Sequence, residues 1–240
     1  MLYLIGLGLN EKGISIEGKE IIKKCKKIYL ETYTVDFPYS VDKLEKIIGK
    51  KIVKMERKDV ESELLIKEAK KENIGLLIYG CPLFATTHIS LIMDCLKNKV
   101  KYQVFYSASV FDAIAESGLQ LYKFGKISSM PKWQKNYEPD SFLEFAEQNN
   151  SIGAHSLILI DIGLKIEDCL SQLDIACKNR SFDLNKLLIC SSLGTSESSF
   201  YYGAVEELMK KMKKIKPPYC IVIPGEMHFL ENENIERFEI

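Results

Sequence analysis

Apolar and polar positions alternate along the first hundred residues in a repeated succession of two periods. The run MLYLIGLGL, residues 1–9, is apolar throughout and ends among glycines, which predicts a buried strand entering a turn. From Ser15 to Lys27 the residues Ile16, Ile21, Ile22 and Cys25 fall at helical spacing. The same order then returns. KIYLETYT (27–34) predicts a strand, VDKLEKIIG (41–49) a helix closed by Gly49, KIVKME (51–56) a strand, and DVESELLIKEAKKEN (59–73) a helix capped by Asp59. IGLLIYG (74–80) predicts a strand, HISLIMDCLKNK (88–99) a helix with Thr87 as its N-cap, and KYQVFYS (101–107) another strand. Such a βαβα order implies a mostly parallel sheet covered on both faces.

The second half has a different texture. Ser109–Gly118 predicts a helix, and the stretch YKFGKISSMPKWQKNYEPDS (122–141) is rich in turn formers. A helix around Phe142–Asn149, the strand HSLILIDIG (155–163), a helix over Lys165–Lys178, the strand KLLICSSLG (186–194), a helix over Phe200–Lys214 and the strand PYCIVIPG (218–225) follow. The fold class is α/β in two domains, 1–112 and 113–240, with the boundary near residues 111–115. The N-terminal sheet is expected to be mostly parallel and the C-terminal one mixed.

Composition narrows the function classes. Lys and Arg total 33 and Asp and Glu total 33, so the overall charge gives no signature of nucleic-acid or anionic-membrane binding. Apolar runs fall far short of the ~20 residues of a membrane span. No basic and apolar leader stands ahead of the first strand, so the chain reads as cytosolic. None of the seven cysteines forms a C-x-x-C pair, and all but Cys81 read as buried, reduced thiols.

Ligands of open α/β sheets bind at the carboxyl ends of strands. The places to search are therefore 6–9, 31–34, 80–87, 107–110, 160–163, 191–196 and 224–228. GLGL lacks the third glycine of a dinucleotide fingerprint, since position 11 is Glu, and no P-loop or G-x-S-x-G elbow occurs. The three histidines, 88, 155 and 228, are scattered and suggest no metal site. Residue types alone assign no catalytic group, which leaves a chemistry that needs little from side chains.

Taken in order, YLIGLGL, ETYT (31–34), GCPLFATTH (80–88), YKFGK (122–126) and IVIPGEMHF (221–229) resemble the diphthine synthase family, within the tetrapyrrole-methylase-like class of methyltransferases. The resemblance covers nearly the whole chain. It implies S-adenosylmethionine as cofactor, bound in a cleft between two α/β domains, and its cofactor contacts fall here on Leu9, Cys81, Phe84, Ser109, Val110, Ile160, Leu193 and His228. It also implies a homodimer acting on elongation factor 2, where the family methylates the amino group of a 3-amino-3-carboxypropyl-histidine on the way to diphthamide. Archaeal members are associated with trimethylation and eukaryotic ones with an additional methyl ester.

The chain departs from the family in two places. Gly80-Cys81-Pro82 stands where relatives carry Gly-Asp-Pro, and CSSLGTSES (190–198) where they carry an Ala-Arg-Ala-Gly-like stretch. A hydrogen bond to a charged group is worth roughly 1.5–3 kcal/mol, so loss of the carboxylate implies about tenfold to a hundredfold weaker cofactor binding. Two other readings stand beside this one: a degenerate member that docks on elongation factor 2 without efficient turnover, and a small-molecule methylase of the tetrapyrrole type. Lys123 and Lys126 are candidates for the anionic substrate extension or the protein substrate's surface, and equally for solvated lysines beside a turn.

Overall fold

The computed structural model describes residues 1–240, with side chains for all but Met212. Contacts divide the chain into Met1–Val110 and Phe111–Ile240.

In the first unit, strands β1 (Leu2–Gly6), β2 (Lys27–Glu31), β3 (Val53–Met55), β4 (Ile74–Ile78) and β5 (Tyr102–Phe105) form a sheet in the order β3-β2-β4-β1-β5. Every pairing is parallel. Alternation along β1 sends Leu2 and Leu4 to one face and Tyr3 and Ile5 to the other. Helices α1 (Ile16–Lys24) and α2 (Val41–Ile48) cover the second face with Ile22, Leu44 and Ile48. Helices α3 (Arg57–Val60), α4 (Leu64–Ala69) and α5 (Ile89–Lys97) cover the first with Val60, Leu65, Leu91 and Cys95. A sheet buried on both faces needs strands apolar at every position, which is why β1 and β4 read as unbroken hydrophobic runs.

In the second unit, α6 (Val110–Ala113) runs in from the boundary and gives way to a 3₁₀ turn over 114–117. Strands β6 (Ser128–Met130), β7 (Ser156–Ile160), β8 (Leu187–Ser191), β9 (Ser199–Gly203) and β10 (Tyr219–Ile223) take the order β6-β7-β10-β8-β9. β6 is parallel to β7, whereas β10 runs against both β7 and β8. Helices α7 (Phe142–Ser151), α8 (Ile166–Arg180) and α9 (Val205–Lys211) pack Leu143, Leu170, Leu173 and Leu208 against Ile158, Ile189 and Ile221, and α10 (Phe229–Glu236) closes the chain.

Local chemistry corrects several expectations. The first helix stops at Lys24, since Lys27 already opens β2. The helix expected over 59–73 is two, α3 and α4, parted at Ser62, whose hydroxyl donates to the Asp59 carbonyl (2.7 Å) and accepts from Leu64 N–H (3.2 Å). Asp59 is not the cap: Glu56 is, and Asp59 returns a carboxylate to the Glu56 N–H as the third helical residue. Thr87 yields the cap position of α5 to His88. Phe200–Gly203 belongs to β9 and not to a helix, because the free edge of β8 pairs with it from Leu187 to Ser191. Strand β6 and helix α10 carry no hydrophobic period of their own.

YKFGK is a folding element of the second unit. Gly125 N–H donates to the His155 carbonyl (2.9 Å), and a Cβ on Gly125 would lie 2.1 Å from Asn149 Oδ1. That Asn149 amide accepts from Lys126 N–H and donates to the Lys126 carbonyl, both at 2.8 Å. Lys123 Nζ meets the buried Glu231 carboxylate at 2.6 Å, while Lys126 Nζ reaches Gln148 (2.7 Å). The two lysines therefore hold partners within their own unit.

Glu231 is the centre of this network. Its oxygens also accept from the backbone N–H groups of Gln120 (2.9 Å) and His228 (2.8 Å), and His155 Nε2 lies 3.0 Å away. Burial alone would raise its pKa, but Lys123, the two N–H groups and His155 outweigh burial and hold it at about 2. His155 is held below its ordinary value, chiefly by burial. Its Nδ1 accepts from Gly225 N–H at 2.9 Å, a bond that protonation would break, so the neutral ring donates through Nε2 to Glu231.

Both depressed values have the same sign in stability. The unfolded chain takes up protons first, His155 below ~6.5 and Glu231 below ~4.3, so stability is present above those values and is lost as pH falls toward the folded-state values. Glu231→Gln is expected to cost about 3 kcal/mol near neutral pH, by stranding a paired charge, and to flatten the loss of stability below pH ~4.3. Urea melts across the acid range check both. An unchanged acid slope would remove Glu231 from this role.

Candidate active site

At the carboxyl edge of the parallel sheet, three neighbouring strands end together. Leu7 N–H donates to the Ile78 carbonyl (2.9 Å), and the chains of β1 and β4 then exchange a last pair of bonds. Gly8 N–H donates to the Gly80 carbonyl (3.3 Å) and Gly80 N–H to the Gly8 carbonyl (3.0 Å). Both glycines sit in the left-handed region, at φ +68° and +69°, where a Cβ is strained. A Cβ on Gly6 would lie 2.7 Å from the Gly80 carbonyl and 3.1 Å from Ser107 Cβ, and one on Gly8 would lie 2.9 Å from Ser107 Oγ. Ser107 in turn donates to the Gly13 carbonyl at 2.8 Å, tying the end of β5 to the turn after β1.

This crossing places five of the residues singled out in the sequence. Leu9 is buried, its carbonyl held by Tyr79 OH (3.0 Å). Cys81 and Phe84 follow β4 half-buried, and Phe84 N–H donates to the Cys81 carbonyl (3.2 Å). A Cβ on Gly80 would lie 3.8 Å from Ser109 Cα, which brings the Cys81 turn beside Ser109 and Val110 at the start of α6. Cys81 is half-buried, and the other six cysteines are buried.

Next to this edge lies a group of buried polar side chains. Glu31, fully buried at the end of β2, accepts from Tyr33 N–H (3.3 Å) and Thr34 Oγ (2.5 Å). Tyr33 OH lies 3.3 Å from Nε2 of His88, which is 1% exposed, and Arg57 lies over the Tyr33 ring. His88 Nδ1 faces the Pro82 carbonyl at 3.2 Å, and Thr86 Oγ donates to the same oxygen at 2.9 Å. Burial is the main cause that lowers the His88 pKa, with the Glu31 charge acting against it, so the ring is neutral at pH 7. Sequence reasoning missed the contact of Tyr33 with His88. The signal available was that ETYT and PLFATTH both follow strands predicted to lie in one parallel sheet.

The second unit does not bring its three candidates together. Because β10 runs against β7 and β8, the carboxyl ends of β7 and β8 share one sheet edge, and Ile160 and Leu193 leave from it. His228 leaves the opposite edge, where it is exposed, meets the Phe229 ring at a tilt of 47° and opens α10. The end of β10 therefore does not lie beside those of β7 and β8, as it would in a parallel sheet. Around Leu193, Ser192 at φ +51° accepts on its carbonyl from Thr195 N–H (3.2 Å) and Oγ (2.7 Å), and Ser191 Oγ pairs with the backbone of Lys216, so these serines shape a turn.

Comparison with known proteins agrees with this architecture. The family model described as Tetrapyrrole (Corrin/Porphyrin) Methylases matches residues 1–209. A protein of Schizosaccharomyces pombe named "Diphthine methyl ester synthase" is 41% identical over 168 residues, 69% of this chain and 59% of that protein. The "Diphthine synthase" of Methanococcus vannielii is 33% identical over 98% of each chain. A crystal structure of diphthine synthase superposes with a TM-score of 0.90 at 28% identity, covering 99% of this chain and 95% of that one. A parallel sheet followed by a mixed sheet is thus shared with the solved diphthine synthase, and the chain belongs to the tetrapyrrole methylase family, in its diphthine synthase group, and is a methyltransferase.

Proposed function

We propose that the chain methylates the amino group of the 3-amino-3-carboxypropyl-histidine of elongation factor 2, forming diphthine, with S-adenosylmethionine as donor. The observation that carries this reading is the Gly8–Gly80 crossing, which sets Leu9, Cys81 and Phe84 at one edge in a chain aligned end to end with a diphthine synthase.

The residues at this edge fit the donor. Adenine and a methionine chain need apolar walls and a few hydrogen bonds, which Leu9, Phe84, Val110 and the adjoining backbone supply, and the glycines keep the backbone clear of Cβ atoms. When bound, the cofactor supplies a methyl group on a sulfonium, already activated for displacement. What the chain adds is position: a turn fixed at both ends orients the donor, and holding two reactants in near-attack geometry is worth up to ~7–11 kcal/mol. Cys81 packs a thiol where relatives place a carboxylate, so the turn keeps its glycine and proline but loses a charged contact.

A second reading, methylation of the carboxylate of the same extension, is favoured by the name of the Schizosaccharomyces pombe relative. Elongation factor 2 carrying the unmethylated extension separates the two. Mass spectrometry is expected to count amino-linked methyl groups that survive mild alkali, whereas a methyl lost to alkali marks an ester. Unmodified substrate despite bound donor would leave a docking protein.

Calorimetric titration with S-adenosylmethionine tests the donor. The natural chain is expected to bind, and Cys81→Asp to bind about tenfold to a hundredfold tighter. Gly8→Ala, strained in φ and pressed on Ser107, is expected to lose binding. Equal affinity in all three would place the donor elsewhere.

A further inference from the structure

PLFATTH and ETYT form a built cluster that donor binding as described above does not use. Between β4 and α5 the chain runs from Gly80 to His88 outside any regular element, with Ala85 in the left-handed region at φ +52°. One oxygen, the Pro82 carbonyl, gathers side-chain donors from the far end of this segment, Thr86 Oγ at 2.9 Å and His88 Nδ1 at 3.2 Å. Pro82 follows Cys81 directly, so whatever fixes this carbonyl fixes the peptide plane of the turn that carries Cys81 and Phe84.

His88 is itself fixed from the opposite side. Because the Pro82 carbonyl can only accept, Nδ1 carries the proton and Nε2 of the neutral ring accepts from Tyr33 OH at 3.3 Å. Tyr33 is held by its N–H on the buried Glu31 carboxylate and by Arg57 over its ring. Strands β2 and β4 are adjacent and parallel, so the path from Glu31 through Tyr33 and His88 to Pro82 links two neighbouring strand ends. His88 is 1% exposed and therefore has no access to a substrate of its own.

From this we infer that His88 is a positioning residue: through Nδ1–H on the Pro82 carbonyl, it sets the Cys81–Phe84 turn in the shape on which donor binding depends. The inference rests on the donor reading given above. The neutral tautomer, and not charge, performs the task, so an amide that keeps a donor at the Nδ1 position should replace it. Asparagine does so, and glutamine, which extends its amide to the Nε2 position, does not.

The test compares His88→Asn with His88→Gln by two readouts, after circular dichroism has confirmed folding of both. Cys81 is the half-buried thiol among six buried ones, so slow alkylation of the native protein by iodoacetamide reports on this turn without any cofactor. His88→Gln is expected to alkylate about three- to tenfold faster than the natural chain and to bind S-adenosylmethionine about three- to tenfold more weakly. His88→Asn is expected to stay near the natural values in both. If the two variants behave alike, both intact or both impaired, His88 does not act through Pro82 and the inference is overturned. Should the natural chain bind no S-adenosylmethionine, the donor reading fails, while the alkylation rates still decide the part played by His88.

Discussion

Everything at the candidate site depends on two glycines that face each other past the ends of β1 and β4. Their paired backbone bonds turn a parallel sheet edge into a closed crossing, and both take a backbone conformation that strains residues with a Cβ. The crossing sends Leu9 one way and Cys81 the other, brings Ser109 alongside, and keeps the backbone at Gly6 and Gly8 clear of the Cβ atoms that would crowd it. A methyltransferase has little need of acids and bases when its donor carries a good leaving group, so the demand falls on shape. Shape here is supplied by backbone geometry and by the buried partners that hold it.

The second unit meets a different constraint with the same means. Its sheet is mixed, and the loop after β10 returns to the start of β7, where Glu231, His155 and Lys123 make a buried polar network with the backbone of Gln120, Gly225 and His228. In YKFGK, where Lys123 and Lys126 read in the sequence as substrate contacts and equally as solvated lysines, Lys123 pairs with Glu231 and Lys126 with Gln148, while the backbone of Gly125 and Lys126 bonds His155 and Asn149. Buried networks of this kind are costly when broken, which gives such residue types little room to vary.

Much of the first unit was legible because a sheet buried on both faces writes itself as uninterrupted apolar strands between amphipathic helices. The elements that were not legible lack that imprint. β6 is three residues, SSM, made a strand by its pairing with β7; β9, SFYYG, is an edge strand whose aromatic residues fit a helix as readily; α10, FLENENIE, has no apolar stripe, and Glu231 closes its first turn. The site residues came from a resemblance to a family and not from residue chemistry, since backbone and apolar contacts leave no pattern of acids, bases or ligands to find. The edge from which His228 leaves was not legible either, because the direction of β10 follows from long-range pairing.

Cys81 sits in a turn whose glycine, proline and histidine support are all present. We propose that this turn and the crossing behind it hold the methyl donor. A crystal structure of the protein grown with S-adenosylhomocysteine tests it most directly. Density for the ligand is expected against Leu9, the Cys81–Phe84 turn and the backbone of Ser109 and Val110. Ligand bound away from the ends of β1, β4 and β5 would contradict it.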